Sequence, residues 1–333
     1  MGLPDPLLVI EDESMVVSYS RGIHQLAADT FAYLRPSGSW GFSNCGLVVS
    51  GDRALLVDTQ FDLPMTRELL TAVKDSCPGV VIETVVTTHP NGDHCWGNQL
   101  VAGATKIGSA ACRDALSHEV PPAQLAALSA PDGPATALGD YMRRYFGHFD
   151  FRDIAVTGPD RTFTGRLDVR VGDRVVELIE VGPAHTDGDV IVHVPDARTV
   201  FTGDILFVDD HPIMWTGPAE SWIKACDVIL QTGAEFVVPG HGPVTDLDGV
   251  RLFRTYLELV AEQGSHLFAA GVPYWQAADE IRLPQNCARW GHRERLVITL
   301  SALYANLGQP RDELLAVLAH AAEFEQRIVR VGS

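Results

Sequence analysis

The stretch Thr87-Thr88-His89-Pro90-Asn91-Gly92-Asp93-His94 follows the apolar run Val80 to Val86 and sets two imidazoles, a carboxylate and an amide on one short loop. Neutral imidazole and carboxylate are the usual ligands of zinc or iron, so this loop reads as part of a metal site. Three later segments carry the same signature. His185 lies in Val181-Gly182-Pro183-Ala184-His185-Thr186-Asp187-Gly188-Asp189, Asp204 in Val200-Phe201-Thr202-Gly203-Asp204-Ile205-Leu206, and His241 in Val237-Val238-Pro239-Gly240-His241-Gly242-Pro243. Each follows a strand-like run and has glycine close by, where the backbone can turn sharply and present a ligand.

In order and type these segments resemble the metallo-β-lactamase superfamily, whose signature is a His-x-His-x-Asp-His loop, then a lone His, a bridging Asp and a final His. The resemblance covers roughly residues 20 to 250, with one departure: Asn91 stands where the family has its second His. It implies an α/β fold, a four-layer αβ/βα sandwich. Carried over by position, site one is His89, Asn91 and His185, site two is Asp93, His94 and His241, and Asp204 bridges them. The implied cofactor is zinc, one ion or two, with iron or manganese as alternatives. An amide oxygen is a weaker donor than imidazole nitrogen, so Asn91 should lower the affinity of site one. Three readings of it stay open: only site two is filled, two metals bind with Asn91 or water completing site one, or catalysis has been lost or redirected.

The chemistry implied by the resemblance is hydrolysis of a small-molecule ester, thioester or lactone by metal-bound hydroxide, with Asp93 orienting the nucleophile or accepting its proton. Gly97-Asn98 after the loop are similar to the glyoxalase-II-like branch. Two alternatives stand beside this: a metal-assisted cyclase or lyase of small-molecule biosynthesis, and a non-catalytic binding protein that keeps the fold. Thr88, Asp58 and Thr186 are candidates for fixing imidazole tautomers. Trp96 and Trp215 are candidate pocket walls. His211 is either an extra acid or ligand or a surface-loop histidine, and Cys95 is a small buried neighbour of the loop.

Length and composition narrow the partners. A chain of 333 residues with 46% hydrophobic content can bury a substantial core. Its 43 Asp and Glu against 25 Lys and Arg give a formal charge of −18, which would repel phosphate backbones and anionic membranes. The expected partner is a small-molecule substrate, with no nucleic acid and no membrane. The start Met1-Gly2-Leu3-Pro4-Asp5-Pro6 has no signal-like pattern, and Gly2 lacks the basic patch that would support myristoylation. A cytoplasmic location and reduced cysteines are therefore expected.

Along the chain, Gly46 to Ser50 and Ala54 to Val57 read as a hairpin after an irregular N-terminus, and Pro64 to Cys77 as a helix. Residues 119 to 163 hold Pro121-Pro122, Pro131-Asp132-Gly133-Pro134 and several aromatic residues, and read as an insertion near the active-site mouth. Strands follow at Leu167 to Val171, Val175 to Val181, Asp189 to Val194, Thr199 to Thr202 and Glu235 to Val238, with a helix at Ala219 to Gln231. The division expected is a metallo-β-lactamase-like domain over 1–250 and a helical C-terminal extension over 251–333, which offers a surface for a homodimer.

Overall fold

The computed structural model describes residues 17–36 and 40–332. The chain start, with the signal and myristoylation readings, lies outside the described residues. The first sheet begins with strands β1 (Gly22–Ala27) and β2 (Thr30–Leu34), where the sequence suggested irregular chain. β1 is a half-exposed edge strand, so it lacks the clean apolar alternation that marks a strand in sequence. β3 (Cys45–Ser50) and β4 (Arg53–Val57) form the expected hairpin, and helix α1 (Leu63–Ser76) leads to β5 (Val81–Val86). Asp62 caps α1 by accepting a hydrogen bond from Met65 N at 2.7 Å, and Pro64 fits the first turn, where its missing N–H costs nothing. The short α2 (Gly92–Cys95) carries the end of the metal loop. β6 (Thr105–Ser109), α3 (Ala110–Ala115), α4 (Pro122–Leu128), α5 (Ala137–Phe146) and β7 (Arg161–Phe163) follow. Strand order is β1-β2-β3-β4-β5-β6-β7, antiparallel up to β4 and parallel from there. β7 thus belongs to the sheet, and the excursion from it holds α3, α4 and α5.

The second sheet contains β8 (Arg166–Val171), β9 (Arg174–Glu180), β10 (Val190–Val194), β11 (Thr199–Phe201) and β12 (Phe236–Val238), in the order β12-β11-β10-β9-β8. Helix α6 (Ala219–Gln231) forms the crossover that makes β11 and β12 parallel. The sheets face each other across a core that includes Val48, Leu55, Val57 and Val86 on one side and Val176, Leu178, Val192 and Phe201 on the other. Full burial of each such apolar side chain contributes about 1.5–3 kcal/mol. The Phe201 ring presses so closely on β3 that a Cβ at Gly46 would come within 2.5 Å of it, which is why glycine occupies a strand interior there.

Helices cover both outer faces. Leu69 and Val73 of α1 pack on Leu47, Leu56 and Val85. On the other side α6, α7 (Leu247–Ala269), α8 (Tyr274–Glu280), α9 (Arg295–Asn306) and α10 (Leu314–Gly332) share one buried cluster with Ile179, Ile191, Val200 and Val237. The layers run helix, sheet, sheet, helix, an α/β arrangement in which helices cover the outer faces except at the partly exposed edge strands β1 and β8. Within the C-terminal helices Tyr256, Leu257, Val260, Leu296, Leu300, Leu303, Leu318 and Phe324 are buried, whereas Leu314 and Leu315 are exposed. Among the described residues no helix is long and apolar enough to cross a membrane.

Strands β9, β11 and β12 run in one direction, because β9 and β11 both pair antiparallel with β10 and β12 pairs parallel with β11. Their C-terminal ends therefore lie at one edge of the sandwich. The segments leaving them carry His185, Asp204 and His241, and the C-terminal ends of β4 and β5 bring Asp58 and the His89–His94 loop to the same place.

Candidate metal centre

Two groups of ligand-type atoms meet at that edge. His89, His185 and Asp204 form one triad and Asp93, His94 and His241 the other, with the atoms of each within 4.8 Å of one another. Asp204 stands between them: Oδ1 is 3.0 Å from His94 Nε2, and Oδ2 is 3.4 Å from His185 Nε2, 3.3 Å from His241 Nε2 and 3.8 Å from His89 Nε2. Asp93 Oδ2 lies 3.3 Å from His241 Nε2 and 3.8 Å from His94 Nε2. A Cβ at position 240 would overlap the Asp204 carboxylate, so the glycine before His241 makes room for it.

The far side of each ring is held by a protein oxygen. His241 Nδ1 lies 3.0 Å from the Phe42 carbonyl, and His185 Nδ1 lies 2.6 Å from that of Ile213. Carbonyls only accept, so both Nδ1 atoms carry protons. His94 Nδ1 donates to Asp58 Oδ2 at 2.9 Å. Thr88 Oγ1 donates to the same Asp58 oxygen at 2.7 Å and so must accept from His89 Nδ1 at 2.9 Å. Asp58 thereby fixes two rings, one directly and one through Thr88. Its own pKa is raised by burial, with His94 and the Thr88 donors pulling against that rise. Thr186 differs from the expectation for it: its hydroxyl donates to Asp189 and holds the turn rather than an imidazole.

This pattern turns all four Nε2 atoms toward the common centre. His89 Nε2 is buried there without a hydrogen-bond partner, a costly state for a polar atom unless a cation takes its lone pair. Burial and the neighbouring His94 hold the His89 ring well below the usual pKa, which keeps that lone pair available. Burial disfavours charge on His241 as well, but Asp204 and Asp93 outweigh it and push that ring up to about 9. Imidazole, carboxylate and one amide oxygen are donors that suit zinc, iron or manganese, and the residues fit such a group.

Asn91 has a specific geometry. Its Nδ2 donates to Glu119 Oε2 at 3.0 Å, which turns Oδ1 toward His185 Nε2 at 2.8 Å. With Nδ1 of His185 committed to a carbonyl and burial lowering the ring's pKa, two lone-pair atoms face each other. A cation shared between them removes that conflict. Sequence reasoning assigned no role to Glu119, whose carboxyl is pushed up to about 7 by burial. A lone Glu between Ser-His and a proline pair gives no signal, and it reaches Asn91 only through the fold.

The centre opens into a cavity of about 130 Å³ walled by Trp40, Phe61, Trp96, Phe146, Phe207 and Trp215. Trp96 and Trp215 are thus where the pocket-wall reading put them. His211 is not a surface histidine and belongs to neither triad: it is fully buried, with Nδ1 2.9 Å from the Tyr256 hydroxyl. Cys95 is buried, with its thiol 3.3 Å from both the Pro90 and the Asn91 carbonyl oxygen, and it belongs to neither triad.

Residues 38–241 match the metallo-beta-lactamase superfamily, more than half of the chain. The chain belongs to that superfamily. Among curated proteins, the 2,4-dinitroanisole O-demethylase subunit alpha of Nocardioides sp. (strain JS1661) is 26% identical over 203 residues, 59% of this chain. The aligned part is 51% of that relative, so the chain spans about half its length. A metallo-beta-lactamase from Pontibacter korlensis superposes with a TM-score of 0.55 at 19% identity, over 72% of this chain and 99% of that one. The stereoselective inverting sec-alkylsulfatase Pisa1 from Pseudomonas sp. gives a TM-score of 0.63 at 14% identity, over 91% of this chain and 49% of its own. At these identities the superpositions show a shared fold. Coverage of 91% must include part of this chain's C-terminal helices, which lie beyond the family match.

Proposed function

We propose that this metallo-beta-lactamase superfamily member is a metal-dependent hydrolase of a small-molecule ester, thioester or lactone with an apolar or aromatic part. The observation that carries the reading is the convergence of four Nε2 atoms on Asp204, with every Nδ1 engaged by a protein oxygen and His89 Nε2 left buried and unpaired. His89, His185, the Asn91 amide oxygen and Asp204 would hold one ion, and Asp93, His94, His241 and Asp204 the other. Such an ion supplies Lewis acidity and lowers the pKa of a bound water towards about 7. Asp93 lines the cavity, so its carboxylate can take the proton of an attacking water. The aromatic walls exclude bulk water and seat the apolar part of the substrate. The cavity is of the same order as the engineered ~150 Å³ cavity that holds benzene.

The same walls support a second reading, cleavage at an aryl oxygen. The Nocardioides relative is named for demethylation of 2,4-dinitroanisole, an aromatic ether. One experiment addresses both readings. Elemental analysis on protein purified without chelator or His-tag should give close to two divalent ions per chain. Turnover of a panel of aryl esters, thioesters, lactones and aryl methyl ethers should be lost with a chelator and regained with zinc, iron or manganese. Protein that takes up no ion and turns over no member of the panel would leave the binding-protein alternative.

Asn91 gives a sharper expectation. Dialysis against a weak chelator should remove one ion well before the other, because an amide oxygen replaces an imidazole in one set. Asn91→His should narrow that difference, slowing loss of the first ion while leaving the second unchanged. Equal loss rates in the two proteins would sink the assignment of Asn91 to that set.

A further inference from the structure

Arg295 opens α9, outside the family match, yet it lines the same cavity as Asn91, Asp93, Asp204 and His241. It is only 2% exposed. A buried guanidinium is normally matched by a carboxylate, because taking a charge out of water without a partner costs several kcal/mol. Here no carboxylate forms a salt bridge with it among the described residues, and Asp210 feels its charge only at longer range. Glu294 accepts from Trp40 Nε1 at 3.4 Å and from the Tyr141 hydroxyl at 3.2 Å, and Asp210 pairs with His292 at 2.9 Å. Among the described residues, the hydrogen bond that Arg295 makes is a long one of 3.3 Å from Nη1 to the His211 carbonyl, and its Nε is buried without a partner.

Two rings hold the group in place. The guanidinium carbon lies 4.8 Å from the centre of the Trp40 ring and 6.0 Å from that of Phe207. Such contacts compensate part of the charge and leave in-plane N–H donors free. Phe207 in turn stacks on His241, with centroids 5.2 Å apart and planes 9° apart. The guanidinium is therefore one ring away from the candidate metal centre.

We propose that Arg295 anchors an anionic substituent of the substrate, a carboxylate or sulfonate carried on an aromatic or compact apolar body whose reacting bond lies at the metal centre. This deepens the hydrolase reading and rests on it. Either group offers two oxygen acceptors to the guanidinium fork, and the aromatic walls take the body between the two ends. The surplus of acidic residues in the chain works against di- and trianions, so a monoanion is the fitting class.

Calorimetric titration of the full-length protein, as purified and after metal removal, with benzoate and with neutral benzamide tests this. Benzoate should bind at least about tenfold tighter than benzamide in both states. Arg295→Met should abolish that preference while leaving benzamide affinity within about twofold, and Arg295→Lys should retain part of it. Equal affinities in the wild type would overturn the proposal. So would a preference that vanishes when the metal is stripped, which would put the carboxylate on the ion, or one that survives in Arg295→Met. Should circular dichroism show the Met variant unfolded, the wild-type ligand pair and the Lys variant decide. Metal content measured on the same samples separates the two claims, since protein without metal defeats the hydrolase reading and leaves the benzoate preference to be judged alone.

Discussion

Asp204→Ala should lower the metal content from about two ions per chain to below one and reduce turnover by on the order of 10³-fold or more. The scale follows from several kcal/mol of Lewis-acid stabilisation at 1.36 kcal/mol per tenfold. The reason is position: the Asp204 carboxylate approaches all four Nε2 atoms, from 3.0 Å at His94 to 3.8 Å at His89, and so reaches members of both triads. His94, His241 and His89 draw the Asp204 carboxyl well below its ordinary pKa, against the rise that burial alone would cause. Losing it therefore removes a ligand and the main counter-charge together. His94→Ala, by contrast, should cost chiefly the ion shared with Asp93 and His241. Elemental analysis on both variants checks the contrast, and equal losses would show that Asp204 does not bridge.

Asp58→Ala should weaken metal binding about ten- to a hundredfold and destabilise the fold by about 3 kcal/mol, although Asp58 touches no ion position. Its carboxylate is buried and accepts from Thr88 N at 2.8 Å, from Thr88 Oγ1 and from His94 Nδ1. Removing it takes the acceptor from three donors at once and leaves Thr88 N and His94 Nδ1 without one. It also frees the Thr88 hydroxyl to donate to His89 Nδ1, which favours the tautomer with the proton on Nε2, the wrong side for a ligand. Asp58→Asn keeps an acceptor for one donor and should fall between alanine and wild type. Metal titration and a denaturant melt separate the two effects. Unchanged metal affinity alongside lost stability would make Asp58 a fold residue without a role in orienting the rings.

What the sequence showed about this centre follows from what ligands demand. Imidazole and carboxylate must sit at strand ends, next to residues that let the chain turn, so four short segments in order were enough to indicate the fold family. The hairpin at residues 46–57, helix α1 and helix α6 were legible for a related reason, since glycine turns, a first-turn proline and helical periodicity are local signals. β1 gave none, because an edge strand that buries little need not alternate.

Other features had no local signature. Asn91 reads in sequence as a substitution, and only the contact with Glu119, 28 residues away, shows which way its amide points. His211 looked like a loop histidine, yet packing of α7 against its loop buried it on Tyr256. Arg295 is an ordinary helix-start residue until the fold seats it between Trp40 and Phe207 and gives its neighbouring acids other partners. The sequence by itself determined the type and order of the groups that meet at the centre, because those are properties of residues and short segments. Tertiary structure decided which tautomer each ring takes, where the Asn91 oxygen points and which cation faces the cavity, because hydrogen-bond direction and charge pairing depend on residues far apart in the chain.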